Sequence, residues 1–420
     1  MAKTLSCESL HHAVYAAPDV LRHCCKRFFV DGKMKGDVEI SDVTSDADIS
    51  YDRIREQKKK LHEDINQGKE TPCTGCPWLT EREWPSWDKL DISLVSIEHH
   101  TVCNLRCTYC SDMYYGGKKP SYSIKHLFKN LSDHGALNQR LSLVWGGGEP
   151  MLFGSFDTIF SFIADKYKPV NNNVFTNAVR HSSAIEKYLR RREINITVSM
   201  DAGTSETFKL VRGRDRFTAV LENLARYHNA GDDKVIIKYI LMPENSSTKE
   251  VTAFVGCIKQ YGLEKCSFQI SADFKDEIIS DEVIAAAGLL LESLKKLGAE
   301  MINFDYHLRP RVRIALEQRT HNTASNKKVL ESVIVWGAGE YALRMLEQKS
   351  LSNSIKFFVD SDPVKQGGEI DGIKIKSPSD ILSEKDSLIF IASSQYYRDI
   401  YHELLDMGVS ADKILDANFF

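Results

Sequence analysis

The chain has 420 residues, with 55 Lys or Arg against 58 Asp or Glu, a formal net charge of −3. That length predicts two or three domains of about 100–200 residues each, and 42% apolar with 27% charged residues excludes a disordered, collagenous or coiled-coil chain. The near-neutral balance leaves no broad footprint for nucleic acid, and no apolar run approaches the ~18 residues needed to span a bilayer.

The start, MAKTLSCESLHH, lacks the apolar core of a secretory signal, so the protein reads as cytoplasmic. Stable disulfides are not expected in that compartment, which makes the ten cysteines the feature to explain. Cys7, Cys24, Cys25, Cys73, Cys76, Cys103, Cys107 and Cys110 lie in the first 110 residues, and Cys257 and Cys266 follow. Clustered thiols in a reducing compartment point to metal or catalysis. Cys7, Cys257 and Cys266 have no close-spaced partner and read as small core residues.

Residues 1–90 form a Cys-rich segment of low periodicity, in which RHCCKRF (22–28) and TPCTGCPW (71–78) flank a charged helical run over 52–68. From residue 91, short apolar runs predict strands at 92–99, 141–145, 173–176, 196–200, 234–242 and 267–271. Between them Leu, Ile, Phe and Val recur at three and four, as in IKHLFKNLSDHGAL and FTAVLENLARYHNAG, which predicts amphipathic helices. Strict alternation implies βαβ units and a parallel sheet, here a partial (β/α)6 TIM barrel over 91–317 with its site at the C-terminal strand ends. The polar stretch over 318–330 reads as a linker.

Residues 331–420 then predict a small doubly wound, Rossmann-like domain. Gly337, Gly339 and Ala342 form G-x-G-x-x-A between a strand and a helix, and Asp360 ends the next strand, placed to bond a ribose hydroxyl. The segment resembles Rossmann-like domains appended to sugar-modifying enzymes. NAD or another nucleotide is one expectation there, and a purely structural role is the other.

The strongest chemical signal is HHTVCNLRCTYCSD, where Cys103, Cys107 and Cys110 are spaced C-x3-C-x2-C just after the first barrel strand. Three thiolates on one loop suit a [4Fe–4S] cluster with one iron left open, whereas structural zinc wants four ligands. With Tyr109 before the last cysteine, the motif resembles that of the radical S-adenosylmethionine (SAM) enzymes, and the resemblance extends over about residues 91–275. It implies that the open iron is chelated by SAM and that Gly146, Gly147, Gly148 and Glu149, followed by Pro150, hold the SAM amino group. It further implies that Ser199 and Arg212, with Arg214 and Arg216 as rivals, face the SAM ribose and carboxylate. The segment from Tyr239 to Asn245 would lie near the adenine. FTNAV carries Ala178 where the family has glycine, which removes the residue that eases a tight turn.

Cys73 and Cys76 form a C-x2-C pair that Cys24 and Cys25 would complete as a second, SPASM- or twitch-like [4Fe–4S] site, with Cys7 a substitute if adjacent cysteines cannot both ligate. In that family such clusters usually follow the barrel; here the cysteines precede it. Zinc and plain core thiols remain the alternatives.

The implied activity is reductive cleavage of SAM to a 5′-deoxyadenosyl radical that takes hydrogen from a sugar, sugar nucleotide or related small metabolite. Oxidation or epimerisation would follow, Cys266 being the candidate hydrogen donor for the latter, and a flavodoxin- or ferredoxin-type reductase would supply electrons. The alternatives are a peptide-modifying radical SAM enzyme, or an NAD-dependent oxidoreductase with iron–sulfur relays.

Overall fold

The computed structural model describes residues 3–110, 117–275, 277–305, 308–309, 311–312, 332–339, 342, 346, 354–384, 387–393, 396–410 and 413–415. The expected linker at 318–330 and most of the helix after the Gly337 turn lie outside them. The chain divides into two compact units, 1–300 and 301–420. Among the described residues no helix is long and apolar enough to cross a membrane.

The first unit opens with β1 (Thr4–Ser6), α1 (Glu8–His12), β2 (Ala13–Ala16), β3 (Val20–Arg22), β4 (Arg27–Val30), β5 (Lys33–Gly36), β6 (Glu39–Asp42), α2 (Tyr51–Asn66) and β7 (Thr80–Arg82). The alternating part follows as β8 (Ile92–Ile97), α3 (Ile124–Asp133), β9 (Leu137–Trp145), α4 (Phe156–Tyr167), β10 (Asn171–Thr176), α5 (Ser183–Arg190) and β11 (Asn195–Ser199). It continues through α6 (Ser205–Arg212), α7 (Phe217–Gly231), β12 (Val235–Leu241), α8 (Thr248–Gln260), β13 (Ser267–Ala272) and α9 (Asp281–Leu297). Strands β8 to β13 occur where alternation placed them, and each pairs in parallel with the next. One face of these strands, carrying Val95, Leu143, Val174, Ile196, Ile237 and Ile270, is buried and packs on the helices, as Trp145 on Phe156 and Phe160 and Tyr239 on Phe254 show.

Helix starts are fixed by local chemistry. Ser182, Ser247 and Ser280 accept from backbone N–H groups at the openings of α5, α8 and α9, caps worth about 1 kcal/mol each. Gly298 closes α9 in the left-handed region at φ +95°.

The Cys-rich segment contributes directly to this sheet. β2 pairs in parallel with β8, β3 runs antiparallel to β2, and β6 pairs antiparallel with β3. All four residues of β2, Ala-Val-Tyr-Ala, are buried. A four-residue run without alternation carries no periodic signal, which is why the sequence pattern did not reveal it.

The second unit holds β14 (Ile302–Phe304), β15 (Val333–Trp336), β16 (Ile355–Val359), β17 (Glu369–Ile370), β18 (Ile373–Lys376), β19 (Leu388–Ile391), α10 (Tyr397–Asp406) and β20 (Ile414–Leu415). Its six-stranded sheet runs β17-β18-β16-β15-β19-β20, parallel at β15–β16, β15–β19, β16–β18 and β19–β20. Ile334, Trp336, Phe357, Val359, Ile389 and Ile391 pack on one face, and Val333, Val335, Phe358 and Phe390 on the other. Two apolar faces from period-two alternation is the pattern of a parallel sheet buried on both sides.

Candidate metal and cofactor site

Cys103, Cys107 and Cys110 sit half-buried on the loop leaving the C-terminal end of β8. The loop is stitched to the end of α6 by Arg106 N–H donating to Arg212 O at 3.0 Å and Thr108 N–H to Val211 O at 2.9 Å. Lys275 Nζ donates to Thr108 O at 2.6 Å. At Gly213 an added Cβ would stand 2.6 Å from Arg106 O, so the α6 terminus comes this close only because glycine follows it.

Behind the loop lies a buried polar brace. Tyr109 OH donates to Asp201 Oδ2 at 2.7 Å, Arg212 pairs with the same oxygen at 2.6 Å, and Arg212 also donates to Tyr109 OH. The Asp201 and Arg212 side chains are 0% and 3% exposed, so neither charge is screened by water. Asp201 stands at φ +54°, and its second oxygen accepts from Ile240 N–H at 2.7 Å. The Arg212 cation lies beside Cys107, opposing the effect of burial, which raises that thiol. Among the described residues Arg212 Nε is a buried donor without a hydrogen-bond partner. Arg214 and Arg216 are exposed, so Arg212 is the arginine that reaches the cysteine loop. Most of its guanidinium serves Asp201 and Tyr109.

The glycine run at 146–149 is shaped by the same loop. A Cβ at Gly147, at φ +95°, would lie 2.7 Å from His100 O, and one at Gly148 would lie 2.2 Å from Val102 O. Gly148 and Glu149 N–H groups donate to those two carbonyls, at 2.9 and 2.8 Å. Glu149 is 1% exposed and accepts from Thr176 Oγ1 at 2.8 Å and Asn177 N–H at 2.7 Å. Burial raises its pKa, and these donors oppose the rise. Its carboxylate thus ties the end of β9 to the end of β10. Asn177 carries the link onward, donating to Asn104 Oδ1 at 2.7 Å and approaching Cys103 Sγ at 3.8 Å. Ala178 adopts φ +52°, so the turn forms without glycine at a cost in strain.

Ser199 ends β11 half-buried, two residues before Asp201. The segment from Tyr239 to Asn245 folds on itself: Asn245, fully buried, donates to Asp201 O and Ile240 O at 2.9 and 2.8 Å. Asp201 and Asn177 were missed in the sequence, since a lone Asp or Asn after a strand has no distinguishing spacing. Cys266 precedes β13, at the N-terminal end of the strand and 3.5 Å from His228 Nδ1. That is the end of the barrel away from the cysteine loop, so its expected part as hydrogen donor is withdrawn.

In the N-terminal segment the thiol couplings bring Cys7, the named substitute, in with Cys24, Cys73 and Cys76. The Cys7 thiol, pushed up to about 11 chiefly by burial, also feels Cys24 and Cys76. Burial raises Cys73 further, with Cys24, Cys7 and Cys76 adding to it. Cys7 thus couples electrostatically to Cys24, Cys73 and Cys76, and it caps α1 by accepting from Leu10 N–H at 3.4 Å. Cys25 is raised by burial first and then by Glu98, Cys24 and Asp37, and bonds the Tyr15 hydroxyl. Among the described residues no three His, Cys, Asp or Glu close on one point that would hold a single metal ion. A cubane takes its thiolates at separate irons and does not ask for such a point.

In the second unit, Gly337 takes φ +119° where a Cβ would lie 2.9 Å from Ala392 O. Asp360 accepts from Ala338 N–H at 2.9 Å, Lys365 Nζ at 3.1 Å and Asp362 N–H at 2.9 Å. Its carboxylate fastens the glycine turn, which leaves little of it for the ribose hydroxyl expected there. Gly339 has open space around it.

Residues 97–255 match the Radical SAM superfamily, and residues 329–415 match the family described as C2185-like, N-terminal. Similar curated proteins include a GTP 3',8-cyclase of Vibrio parahaemolyticus, 29% identical over 39% of this chain and 49% of that protein. A second, from Haemophilus influenzae, is 27% identical over 47% and 58%. The chain thus spans about half the length of the curated relatives it matches. Among solved structures, SuiB of Streptococcus suis bound to S-adenosylmethionine aligns at TM-score 0.42 and 12% identity, over 74% of this chain and 64% of that one. Native anSMEcpe with bound AdoMet aligns at 0.37 and 16%, over 56% and 68%.

Proposed function

The chain carries a radical SAM domain at residues 97–255, and from that premise we propose an enzyme that draws hydrogen from a small metabolite with Cys103, Cys107 and Cys110 as cluster ligands. A [4Fe–4S] cluster and SAM, when bound, supply one electron to the sulfonium C5′–S bond and a 5′-deoxyadenosyl radical that takes a hydrogen atom from carbon. The residues present fit that group, with three half-buried thiols on one loop, a buried guanidinium beside Cys107 and an unpartnered Arg212 Nε.

The chain's own part is to hold and to exclude. Asp201, Arg212 and Tyr109 fix the cysteine loop against α6. Glu149 and Asn177 fix it against β9 and β10. Gly146, Gly147 and Gly148 bring a second backbone within bonding distance of it, and Ser199 and the Arg212 Nε are the groups left to meet SAM. Rigid donors around a dry site strengthen every polar contact made there.

We further read Cys7, Cys24, Cys73 and Cys76 as ligands of a second [4Fe–4S] cluster, replacing Cys25 by Cys7. The substrate class we favour is a sugar, sugar nucleotide or related small metabolite, supported by relatives whose name places their reaction on a nucleotide. The division into a Cys-rich segment to residue 90, a barrel to 317 and a Rossmann-like domain from 331 belongs to this reading, as does a flavodoxin- or ferredoxin-type electron donor. Parallel pairing at β15–β16 and β15–β19 and the Gly337 turn support the last domain.

The observation that carries the proposal is the C-x3-C-x2-C loop at a strand end, braced by a buried ion pair. Deuterated sugars, sugar nucleotides and peptides, offered separately to the anaerobically reconstituted enzyme with SAM and dithionite, test the substrate class. Deuterium is expected in 5′-deoxyadenosine from the sugar or nucleotide arm, and deuterium from the peptide arm alone would overturn that class.

A further inference from the structure

Lys58, on α2, is fully buried. Its Nζ donates to Leu10 O at 2.8 Å and Ala13 O at 2.7 Å, both neutral carbonyls. Burial lowers its pKa to about 7, and Cys7 and Cys24, when they are thiolates, oppose that fall, with no carboxylate beside them in that part. Lysine is almost never fully buried without a partner, and an ammonium taken out of water needs an opposing charge. An apolar side chain of the same length would fill this volume at less cost.

The peptide at Leu10 joins the lysine to the cysteine set. Its N–H donates to Cys7 Sγ and its C=O accepts from Lys58 Nζ. His23, beside Cys24, and His11, between the rings of Trp84 and Trp87, are both held neutral by burial and both feel Lys58. Lys26, half-buried, also acts on Cys7, and Lys58 is the fully buried cation of the two. As a thiol set the four cysteines carry no charge; as ligands of a cluster they are thiolates, and the assembly is anionic.

We propose that Lys58 is the built-in counter-charge of the second cysteine site, a positioning residue whose buried ammonium stabilises the reduced cluster and sets its potential. This rests on the reading of Cys7, Cys24, Cys73 and Cys76 as cluster ligands. Reduction adds a negative charge, and a fixed cation in a low-dielectric surrounding favours the reduced form. Removing the cation makes the site harder to reduce.

The test uses the full chain with Cys103→Ala, Cys107→Ala and Cys110→Ala, so that only the second site loads, followed by iron counting and an EPR-monitored redox titration. About four irons are expected per chain. Absence of iron sinks the cluster reading and the part of Lys58 with it. In the loaded background, Lys58→Met should lower the reduced-to-oxidised ratio at fixed potential at least tenfold, about 59 mV for one electron, and Lys58→Arg should return it toward the parent. Lys58→Gln keeps a donor for one carbonyl and carries the same expectation if Lys58→Met does not fold. An unchanged midpoint in the neutral variants overturns the proposal while leaving the cluster reading intact. Loss of iron in both neutral variants with retention in Lys58→Arg supports a charge requirement, and loss in all three makes the lysine merely structural and overturns it.

Discussion

Asp201→Asn isolates the charge in the brace behind the cysteine loop. Asparagine tolerates the left-handed backbone at φ +54°, and its amide oxygen can still accept from Ile240 N–H, which lies 2.7 Å from Asp201 Oδ1. What disappears is the anion facing Arg212, whose side chain is 3% exposed. Removing one partner of a buried pair costs about 3–5 kcal/mol because the other charge stays buried and uncompensated. Arg212→Met should cost a similar amount for the mirrored reason. The double variant Asp201→Asn, Arg212→Met leaves neither charge stranded and should recover about 2 kcal/mol or more relative to the sum of the singles. Urea unfolding followed by tryptophan fluorescence gives the stabilities, and iron per chain gives the state of the loop. Single variants within about 0.5 kcal/mol of the parent, or strictly additive losses, would refute the argument that this pair braces the site.

Gly148→Ala sets a methyl 2.2 Å from Val102 O, so the reconstituted variant should bind about four irons where the parent binds about eight; eight would contradict the close-approach argument. Cys7→Ala should likewise fall to about four irons while Cys25→Ala keeps about eight, and the reverse order would return Cys25 to the ligand set. His11, lowered to about 3 chiefly by burial, is neutral when folded and takes up a proton on unfolding below its usual 6.5. Its contribution is therefore full above about 6.5 and is lost as pH falls toward 3. His11→Phe should flatten the stability-against-pH slope between pH 4 and 6 by about 1.4 kcal/mol per unit, and an unchanged slope would show that His11 is not buried neutral.

The sheet from β8 to β13 was legible because its strands carry runs of β-branched and large apolar residues between amphipathic helices. β9 and β10 start earlier than their apolar parts, β9 through the exposed Gln139 and Arg140 and β10 through Asn171 and Asn172. The cysteine loop was legible because its ligands are close in sequence. The proposed second cysteine set was only half legible: the pair at 73 and 76 is local, but Cys7 lies before α1 and Cys24 after β3, and no spacing links them to it. Cys25 has the same chemistry as Cys24 and is set apart by burial beside Tyr15 and Glu98. Glu149, expected at the SAM amino group, is also a buried tie between two strand ends, which its sequence neighbours did not reveal. Arg212 was separable from Arg214 and Arg216 only once its burial against Asp201 was seen.

Protein reconstituted anaerobically, with iron present at the Cys103, Cys107 and Cys110 loop, is incubated with SAM and dithionite. Formation of 5′-deoxyadenosine, abolished by Cys107→Ala, is the predicted result. A fully loaded protein that leaves SAM intact would contradict it.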